Sequence, residues 1–297
     1  MFGSAGVRIS LGVGGVLAML VGGTPSALAV GFPAAGRTVV GATKPPGYVI
    51  VTSKLTAPQS EFNSMGTASC PAGTATWGGG MSFETYRFLT SSINSSYWNG
   101  SSPGVWTVHV NNTGTGSNTV FVSAICAKKP LKYKRVFTIV DDPAGAQTSG
   151  VATCPVNTVI LSGGVLSTGD QASVYLTSAH PTSARAFKAF QNNGSSNDQP
   201  FYVYALCAAK PPGYTRTSAS STAPAGEQGG TNAACPANTS VIGGGIGSGA
   251  PNAAVIPTTS DPEASDPAEE FPSVWAAVSS NSLDVAVTVT AYAICAN

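Results

Sequence analysis

Few residues in this chain of 297 residues are able to carry acid–base chemistry, since it holds two histidines and only 9% of it is charged. His180 stands before a proline, in what we expect to be a loop, and follows Asp170 by ten residues, so a Ser–His–Asp site of a secreted hydrolase is one interpretation. His109 lies between two valines, on what we expect to be the outward side of a strand. We favour two surface histidines. The sequence therefore predicts a protein that is not an enzyme, with no catalytic residue, cofactor or metal.

The tripeptide Tyr97-Trp98-Asn99 is the pattern that points most directly to a ligand. It stands among serines, in the segment that differs most in length between the three repeats described below. An exposed tyrosine–tryptophan pair can stack on sugar rings, and neighbouring amides and hydroxyls can bind sugar hydroxyls. We therefore predict a carbohydrate-binding site at Tyr97, Trp98 and Asn99, at the tip of a loop. The alternative is that Trp98 folds back onto its own module.

Acidic side chains are concentrated in one stretch near the end of the chain. They are Asp261, Glu263, Asp266, Glu269 and Glu270. Clustered carboxylates suit Ca²⁺, so a calcium site is one hypothesis, but the prolines here and the lack of EF-hand spacing favour a solvated loop.

Composition excludes several classes of protein. Charged residues usually make up about a quarter of a soluble protein, so a charge content of 9% argues against a nucleic-acid partner, a charged coiled coil or an acidic disordered tail. The formal net charge of +1 gives no basis for electrostatic steering by the whole molecule.

The first part of the chain reads as an export signal. Arg8 supplies a positive start, residues 9–22 are apolar and uncharged, and Ala27-Leu28-Ala29 fits a signal-peptidase site. The apolar run is shorter than the roughly 20 residues that a membrane-spanning helix needs. We expect residues 1–29 to be a signal peptide, residues 30–43 to be a flexible leader, and the mature protein to be secreted without a membrane span.

One sequence pattern occurs three times in the remainder. Each copy opens on Lys-Pro-x-x-Tyr, continues with Cys-Pro-x-[Gly/Asn]-Thr, a glycine run, an aromatic residue and an asparagine, and ends on Ala-x-Cys-Ala. The opening tyrosines are Tyr48, Tyr133 and Tyr214, which stand 85 and 81 residues apart. The pattern predicts three β repeats with the boundaries 44–127, 128–209 and 210–297.

The three repeats differ in charge. The first has three basic and two acidic residues, the second seven and four, and the third two and seven, giving net charges of +1, +3 and −5. Most of the excess in the second repeat comes from Lys128, Lys129, Lys132, Lys134 and Arg135. Attraction between oppositely charged modules or molecules is therefore one hypothesis.

Six cysteines in an exported chain indicate disulfides. Because each repeat has one early and one late cysteine, we predict the pairs Cys70–Cys126, Cys154–Cys207 and Cys235–Cys295. Each bond would close a loop of more than 50 residues and stabilise its repeat by roughly 4 kcal/mol. Exchange of cysteines between repeats, within one three-fold prism, is the alternative.

The secondary structure predicted for each repeat is six or seven short antiparallel strands. Apolar residues alternate before the second cysteine of each repeat, as at Val120, Val122 and Ala124. No stretch after residue 43 has a helical period. The fold class is therefore all-β, as three tandem disulfide-stapled antiparallel β-sandwich-like modules, with one three-fold β-prism as the alternative.

The repeat resembles a module that occurs in tandem in exported bacterial proteins and whose function is uncharacterised. The resemblance covers residues 44–297 and is carried by the two cysteines, the glycine run and the aromatic residue. The second repeat departs from it, with Ser162 in place of the first glycine and Phe187 in place of tryptophan. A weaker resemblance is to the three-fold prism of vitelline-membrane outer-layer protein, whose repeat is shorter. Neither resemblance implies catalytic residues.

These observations favour a secreted, non-enzymatic binding or adhesion protein whose partner is an extracellular polysaccharide or a cell surface. A self-associating structural component of a coat or matrix is the second hypothesis, and the hydrolase centred on His180 is the third.

Overall fold

A computed structural model describes residues 44–84, 90–100, 104–249, 254–263 and 272–297. The described residues contain eighteen strands and no helix, so the all-β class is confirmed. None of them forms a helix long and apolar enough to cross a membrane. The predicted signal peptide and leader, residues 1–43, lie outside the described residues.

Each predicted repeat supplies six strands. Repeat 1 forms β1 (Val49–Ala57), β2 (Glu61–Ser69), β3 (Ala75–Phe83), β4 (Ser91–Trp98), β5 (Val105–Asn112) and β6 (Asn118–Ala127). Repeat 2 forms β7 (Lys134–Val140), β8 (Gln147–Thr153), β9 (Val159–Ser167), β10 (Val174–Pro181), β11 (Ala186–Asn193) and β12 (Phe201–Ala208). Repeat 3 forms β13 (Thr215–Ala223), β14 (Gln228–Ala234), β15 (Ser240–Ser248), β16 (Val255–Glu263), β17 (Val274–Asn281) and β18 (Val287–Ala296).

The eighteen strands form three antiparallel sheets, and every sheet is shared by two repeats. Sheet 1/2 has the order β2-β5-β4-β9-β12-β7, sheet 2/3 the order β13-β18-β15-β10-β11-β8, and sheet 3/1 the order β1-β6-β3-β16-β17-β14. Each repeat therefore gives three strands to one sheet and three to the next. Of the two arrangements that the sequence left open, this sharing of strands is that of the three-fold β-prism.

The disulfides join the two halves of each repeat, as predicted. The bonds are Cys70–Cys126, Cys154–Cys207 and Cys235–Cys295, with Cα–Cα distances of 5.6, 5.6 and 5.8 Å. Each connects the end of the second strand of a repeat to its last strand, which lies in a different sheet. Each repeat is thus a small two-layered module, while the sheets are completed only between repeats.

The glycine run lies at the centre of the fold, and each of its positions meets a different neighbour. A Cβ on Gly79 would lie 2.4 Å from the Trp106 ring of the same repeat. A Cβ on Gly78 would lie 2.5 Å from the carbonyl oxygen of Ile242 in repeat 3, and one on Gly80 2.1 Å from that of Ser260. The backbone packs too closely here for any side chain.

The aromatic residue that covers the middle glycine is matched to its surroundings. Trp106 Nε1 donates to Ser96 Oγ at 3.0 Å, and Trp275 Nε1 donates to Ser260 Oγ at 3.1 Å. In repeat 2 the ring is Phe187, and the position of those serines is occupied by Ala179. Repeat 2 therefore differs from the other repeats at both positions together: the phenylalanine ring has no N–H group, so it needs no serine as an acceptor.

The opening tyrosines connect the repeats in a closed cycle. Tyr133 OH donates to the carbonyl oxygen of Thr76 in repeat 1, and Tyr214 OH donates to that of Ile160 in repeat 2 at 3.0 Å. Tyr48 OH donates to the carbonyl oxygen of Val241 in repeat 3 at 2.5 Å. The first repeat is thereby tied to the last one.

The asparagine of each repeat is structural. Asn112 Nδ2 donates to the carbonyl oxygens of Ala57, Pro58 and Gly116. Asn193 and Asn281 make the same three types of bond in their own repeats. Each asparagine thus joins two turns at one end of its repeat.

Gly79→Ala tests the close packing of the glycine run. The new methyl group would overlap the Trp106 ring, so we expect the free energy of unfolding in urea to fall by about 1–3 kcal/mol. The control is Gly73→Asn, because Gly73 has a φ of 81° and open space around it, and the equivalent residues are Asn157 and Asn238. The control should change stability by less than about 0.5 kcal/mol. Equal stability of Gly79→Ala and the wild type would contradict this account.

The double variant Trp106→Phe with Ser96→Ala gives repeat 1 the phenylalanine and alanine that repeat 2 has at these two positions. We expect Ser96→Ala alone to cost about 1 kcal/mol, because the buried indole N–H loses its acceptor. In the Trp106→Phe background the same change should cost close to nothing. A double-mutant cycle of unfolding free energies measures the coupling, and strictly additive effects would show that the hydrogen bond does not link the two positions.

Candidate functional site

The strands of two repeats meet at a seam in every sheet, and one side chain crosses each seam beside a glycine. These side chains are Tyr97 on β4, His180 on β10 and Asp261 on β16, which occupy equivalent positions in their repeats. A Cβ on the glycine opposite would lie within 3 Å of their Cα atoms, at 2.8 Å for Gly164, 2.7 Å for Gly245 and 2.9 Å for Gly80. Equivalent backbone positions at the three seams therefore carry a phenol, an imidazole and a carboxyl group.

Sheet 1/2 carries a row of aromatic rings across its seam. Tyr97 stacks on Tyr204 over Gly164, with ring centroids 6.0 Å apart and an interplanar angle of 21°. The Phe137 ring lies 6.0 Å from Tyr204 and 5.9 Å from Tyr202, and Phe137 is 54% exposed. Because Tyr204 is covered on both sides it is only 6% exposed, so the row offers solvent mainly ring edges and the Phe137 ring.

Arg135 is held in the middle of these rings. Its guanidinium carbon lies 4.8 Å from the centroid of Tyr204 and 5.3 Å from that of Trp98, and its NH1 donates to the carbonyl oxygen of Trp98 at 3.3 Å. Gly100 leaves the space that the guanidinium fills, because a Cβ there would lie 2.6 Å from it. We call Tyr97, Arg135, Phe137, Tyr202 and Tyr204 the aromatic face.

The predicted tripeptide lies at this face but not at a loop tip. Tyr97 and Trp98 are the last residues of β4 and are half-buried. The backbone N–H of Asn99 donates to the carbonyl oxygen of Val105 at 3.0 Å. Trp98 packs edge-on against Tyr133 of repeat 2 at 5.7 Å, rather than folding back onto its own module. The expectation of an exposed pair at a loop tip was wrong, because the hairpin of β4 and β5 extends to these residues.

Positive charge borders the aromatic face. Lys129 and Lys132 are exposed on the segment that leads into β7, and Lys129 Nζ lies 5.8 Å from the centroid of the Tyr133 ring, which packs on Trp98. The strand β7 itself begins at the exposed Lys134 and carries Arg135 and the exposed Ile139. The basic cluster found in the sequence thus adjoins the aromatic rings.

Sheet 2/3 presents His180 at its seam. The histidine lies on β10, not in the loop expected from the sequence, and stacks on Tyr292 with ring centroids 4.7 Å apart. Burial, together with nearby Lys188, lowers the pKa of His180 to about 4, so the ring is neutral at physiological pH.

The contacts of His180 are unlike those of a catalytic triad. Ser178 Oγ lies 3.0 Å from His180 Nδ1 and also donates to the carbonyl oxygen of Ile246 at 3.2 Å, so the serine proton has a backbone acceptor other than the histidine. Ser178 is only 1% exposed. Among the described residues, no hydrogen bond or ion pair joins Asp170 to His180. A serine nucleophile activated by His180 therefore finds no support in this geometry.

Sheet 3/1 places a carboxyl group at its seam. Asp261 lies on β16, is buried, and accepts hydrogen bonds at Oδ2 from Ser82 and Ser123, each at 3.3 Å. Burial raises the pKa of Asp261 well above its usual range, although the two hydroxyls oppose the shift.

The acidic stretch is therefore not a single solvated loop. Asp261 and Glu263 belong to β16, while Asp266, Glu269 and Glu270 lie outside the described residues. Within the described ranges, no three His, Cys, Asp or Glu side chains come together in a group able to hold a metal ion.

His109, the other candidate from the sequence, also joins the row on sheet 1/2. It lies on β5, stacks on Tyr97 at 6.0 Å, and contacts Asn63 Oδ1 through Nδ1 at 2.7 Å. Burial lowers its pKa. It is therefore a half-buried packing residue rather than a surface histidine.

Sequence reasoning missed the residues that meet the seam from the other side. These are Arg135, Phe137, Tyr202 and Tyr204 on sheet 1/2, and Arg216 and Tyr292 on sheet 2/3. One signal was available, since Arg135 and Arg216 each stand two residues after the opening tyrosine of their repeat. The chain matches no protein-family model and no curated protein sequence.

The pKa of His180 gives a pH-dependent prediction. An unfolded histidine has its pKa near 6.5 and the folded one near 4, so the unfolded chain binds more protons between these values. Stability should therefore fall as the pH is lowered from about 6.5 to 4, by up to about 3 kcal/mol from this group. Urea unfolding of the wild type and of His180→Tyr, which copies Tyr97, measures the difference. Identical pH dependence in both proteins would contradict the assignment, and Val285→Ser, which changes an exposed residue and no titratable group, serves as the control.

Proposed function

We propose that this is a secreted, non-enzymatic protein that binds extracellular polysaccharide through the aromatic face of sheet 1/2. The observation that carries the proposal is Arg135, which is held between the Trp98 and Tyr204 rings beside the exposed ring of Phe137. Aromatic rings and a fixed guanidinium supply the two things that a sugar chain needs, namely a stacking surface and directed hydrogen-bond donors.

Several features support this partner in particular. The aromatic face lies on the outside of a sheet and is not an enclosed pocket, which suits a long polymer better than a small molecule. Lys129, whose Nζ lies over the Tyr133 ring that packs on Trp98, adds positive charge, which favours a polysaccharide with acidic groups. Each of these contacts is weak, and a polymer gains affinity by repeating them.

Secretion is part of the same proposal. Three disulfides that join the halves of their repeats would persist in an oxidising environment, and they fit the export signal expected at residues 1–29. The burial of Ser178, which is 1% exposed, supports the non-enzymatic part of the proposal, because a nucleophile must be accessible to its substrate.

In this proposal Tyr97 and Trp98 act in different ways. Trp98 positions Arg135 through its ring and its carbonyl group, whereas Tyr97 supports the stacked row through Tyr204. Asn99 contributes the turn at the end of β4.

The hypothesis of a self-associating coat has one structural feature in its favour. The edge strand β7 exposes Phe137 and Ile139, each 54% exposed, and exposed apolar edges favour association. The charge argument for it is weaker than the sequence suggested, because Asp261 is buried with a raised pKa.

Retention on insoluble polysaccharides and isolated cell walls tests the proposal. We expect wild-type residues 30–297 to be retained, and Phe137→Ser with Tyr202→Thr to lose about tenfold or more in affinity, because these changes copy the non-aromatic residues Ser218 and Thr290 of sheet 2/3. Val285→Ser is the control, since Val285 is 57% exposed and lies on another part of the fold.

Two results would overturn this assignment. Equal retention of the wild type and the double variant would remove the aromatic face as the site. No retention on any polymer, together with a concentration-dependent increase in sedimentation coefficient, would favour self-association through β7.

A further inference from the structure

A groove lies on the outer side of sheet 2/3, at the place that the aromatic face occupies on sheet 1/2. It has a volume of about 320 Å³ and is lined by His180, Pro181, Arg216, Ser218 and Tyr292, with two threonines beside them. This volume is at the lower end of the range for small-molecule sites, which is suitable for a sugar residue.

The groove is open because small residues replace the large ones of sheet 1/2. Pro181 occupies the position of Trp98, because each pairs with the aromatic ring residue of its repeat. Ser218 occupies the position of Phe137, because each pairs with the tyrosine of the last strand. On sheet 1/2 the corresponding space is filled by the Trp98 and Phe137 rings around Arg135.

Arg216 is the counterpart of Arg135, but its surroundings differ. Both arginines stand two residues after the opening tyrosine of their repeat and pair with equivalent residues of the last strand. Arg135 lies over two aromatic rings, whereas Arg216 lines the groove and is exposed. Among the described residues, no carboxylate lies in the lining of the groove, and Lys188 adds a second positive charge next to His180.

Tyr292 supplies a ring face to the same space. One face of Tyr292 is covered by His180 at 4.7 Å. The opposite face of the Tyr292 ring is directed towards β13, where Tyr292 pairs with Ser218. Among the described residues, no ring or cation packs on this face. The equivalent face of Tyr204 is covered by Phe137 at 6.0 Å and Arg135 at 4.8 Å. The sheet 2/3 tyrosine is therefore available for stacking.

We propose that this groove binds a hexuronic acid residue, with its carboxylate on Arg216 and its pyranose ring against Tyr292. A guanidinium binds a carboxylate through two parallel hydrogen bonds, and the exposed hydroxyl of Ser218 lines the same groove, where it can meet a hydroxyl of the sugar. Neutral His180 closes one side without adding charge. The inference deepens the proposed polysaccharide binding, because it names an acidic sugar as a component recognised at a second site.

Titration with free glucuronic acid, followed through the His180 and Tyr292 side-chain NMR signals, tests the inference apart from the aromatic face. We expect saturable shifts with a dissociation constant in the millimolar range, and much weaker shifts with glucose or with acetate at equal concentration. Arg216→Gln should weaken binding by about tenfold or more. Lys54→Gln is the matched control, because it removes one exposed positive charge from β1 of sheet 3/1, and it should leave the affinity for free glucuronic acid unchanged.

A second variant fills the groove without removing its charge. Pro181→Trp with Ser218→Phe copies sheet 1/2, and we expect it to abolish glucuronic acid binding while the amide spectrum and the melting temperature show a folded protein. Binding that survives this variant, no shift with any sugar acid, or equal shifts with acetate would overturn the inference. Because the sugar acid is free, these outcomes are independent of polymer retention by the aromatic face.

Discussion

Close contact between backbone and backbone at the centre of the molecule is the constraint on which the other features depend. At Gly78, Gly79 and Gly80, and at the equivalent positions of repeats 2 and 3, almost no side chain is tolerated. The middle position receives the aromatic ring of the same repeat, and the third allows a strand from another repeat to complete the sheet. Without that approach the three-stranded halves would keep exposed edges, which favour aggregation.

The three seams carry different functional groups at equivalent backbone positions. The same position holds Tyr97, His180 or Asp261, and the core beneath it remains almost unchanged. On one seam the rings pack against each other, on the second they leave a groove, and on the third a carboxyl group is buried between hydroxyls. A rigid, stapled framework permits such differences because its stability comes from the disulfides and the core.

Much of the fold could be predicted from the sequence, and much of the candidate site could not. The all-β class, the in-repeat disulfides and the buried row at Val120, Val122 and Ala124 follow from spacing and alternation, which are local. The sharing of sheets is not local, because β4 and β9 come from different repeats and meet where Gly164 lies against the backbone of Ser96 and Tyr97. Arg135 approaches Trp98 across that boundary between repeats, so an analysis of single repeats could not place it there.

The loop expectation was wrong for a related reason. Tyr97, Trp98 and His180 were assigned to loops because serines and prolines surround them, and these residues are typical of turns. In the structure each belongs to a strand that ends at a seam, where serine and proline are accommodated because only one or two residue pairs connect the repeats. The lengths of these strands were therefore underestimated, because their pairing partners come from a distant part of the chain.

The hydrogen bond from Tyr48 to Val241 has a consequence for copy number. In an open array of repeats, a copy can be deleted or duplicated and the remaining interfaces persist, since each unit contacts only its neighbours. Here the first and last copies are themselves neighbours, and a chain of two copies would leave two half-sheets without partners. A fourth copy would find no seam to join. Closure of the sheets therefore couples the three copies, and the loss of any one of them would expose the edges of both others.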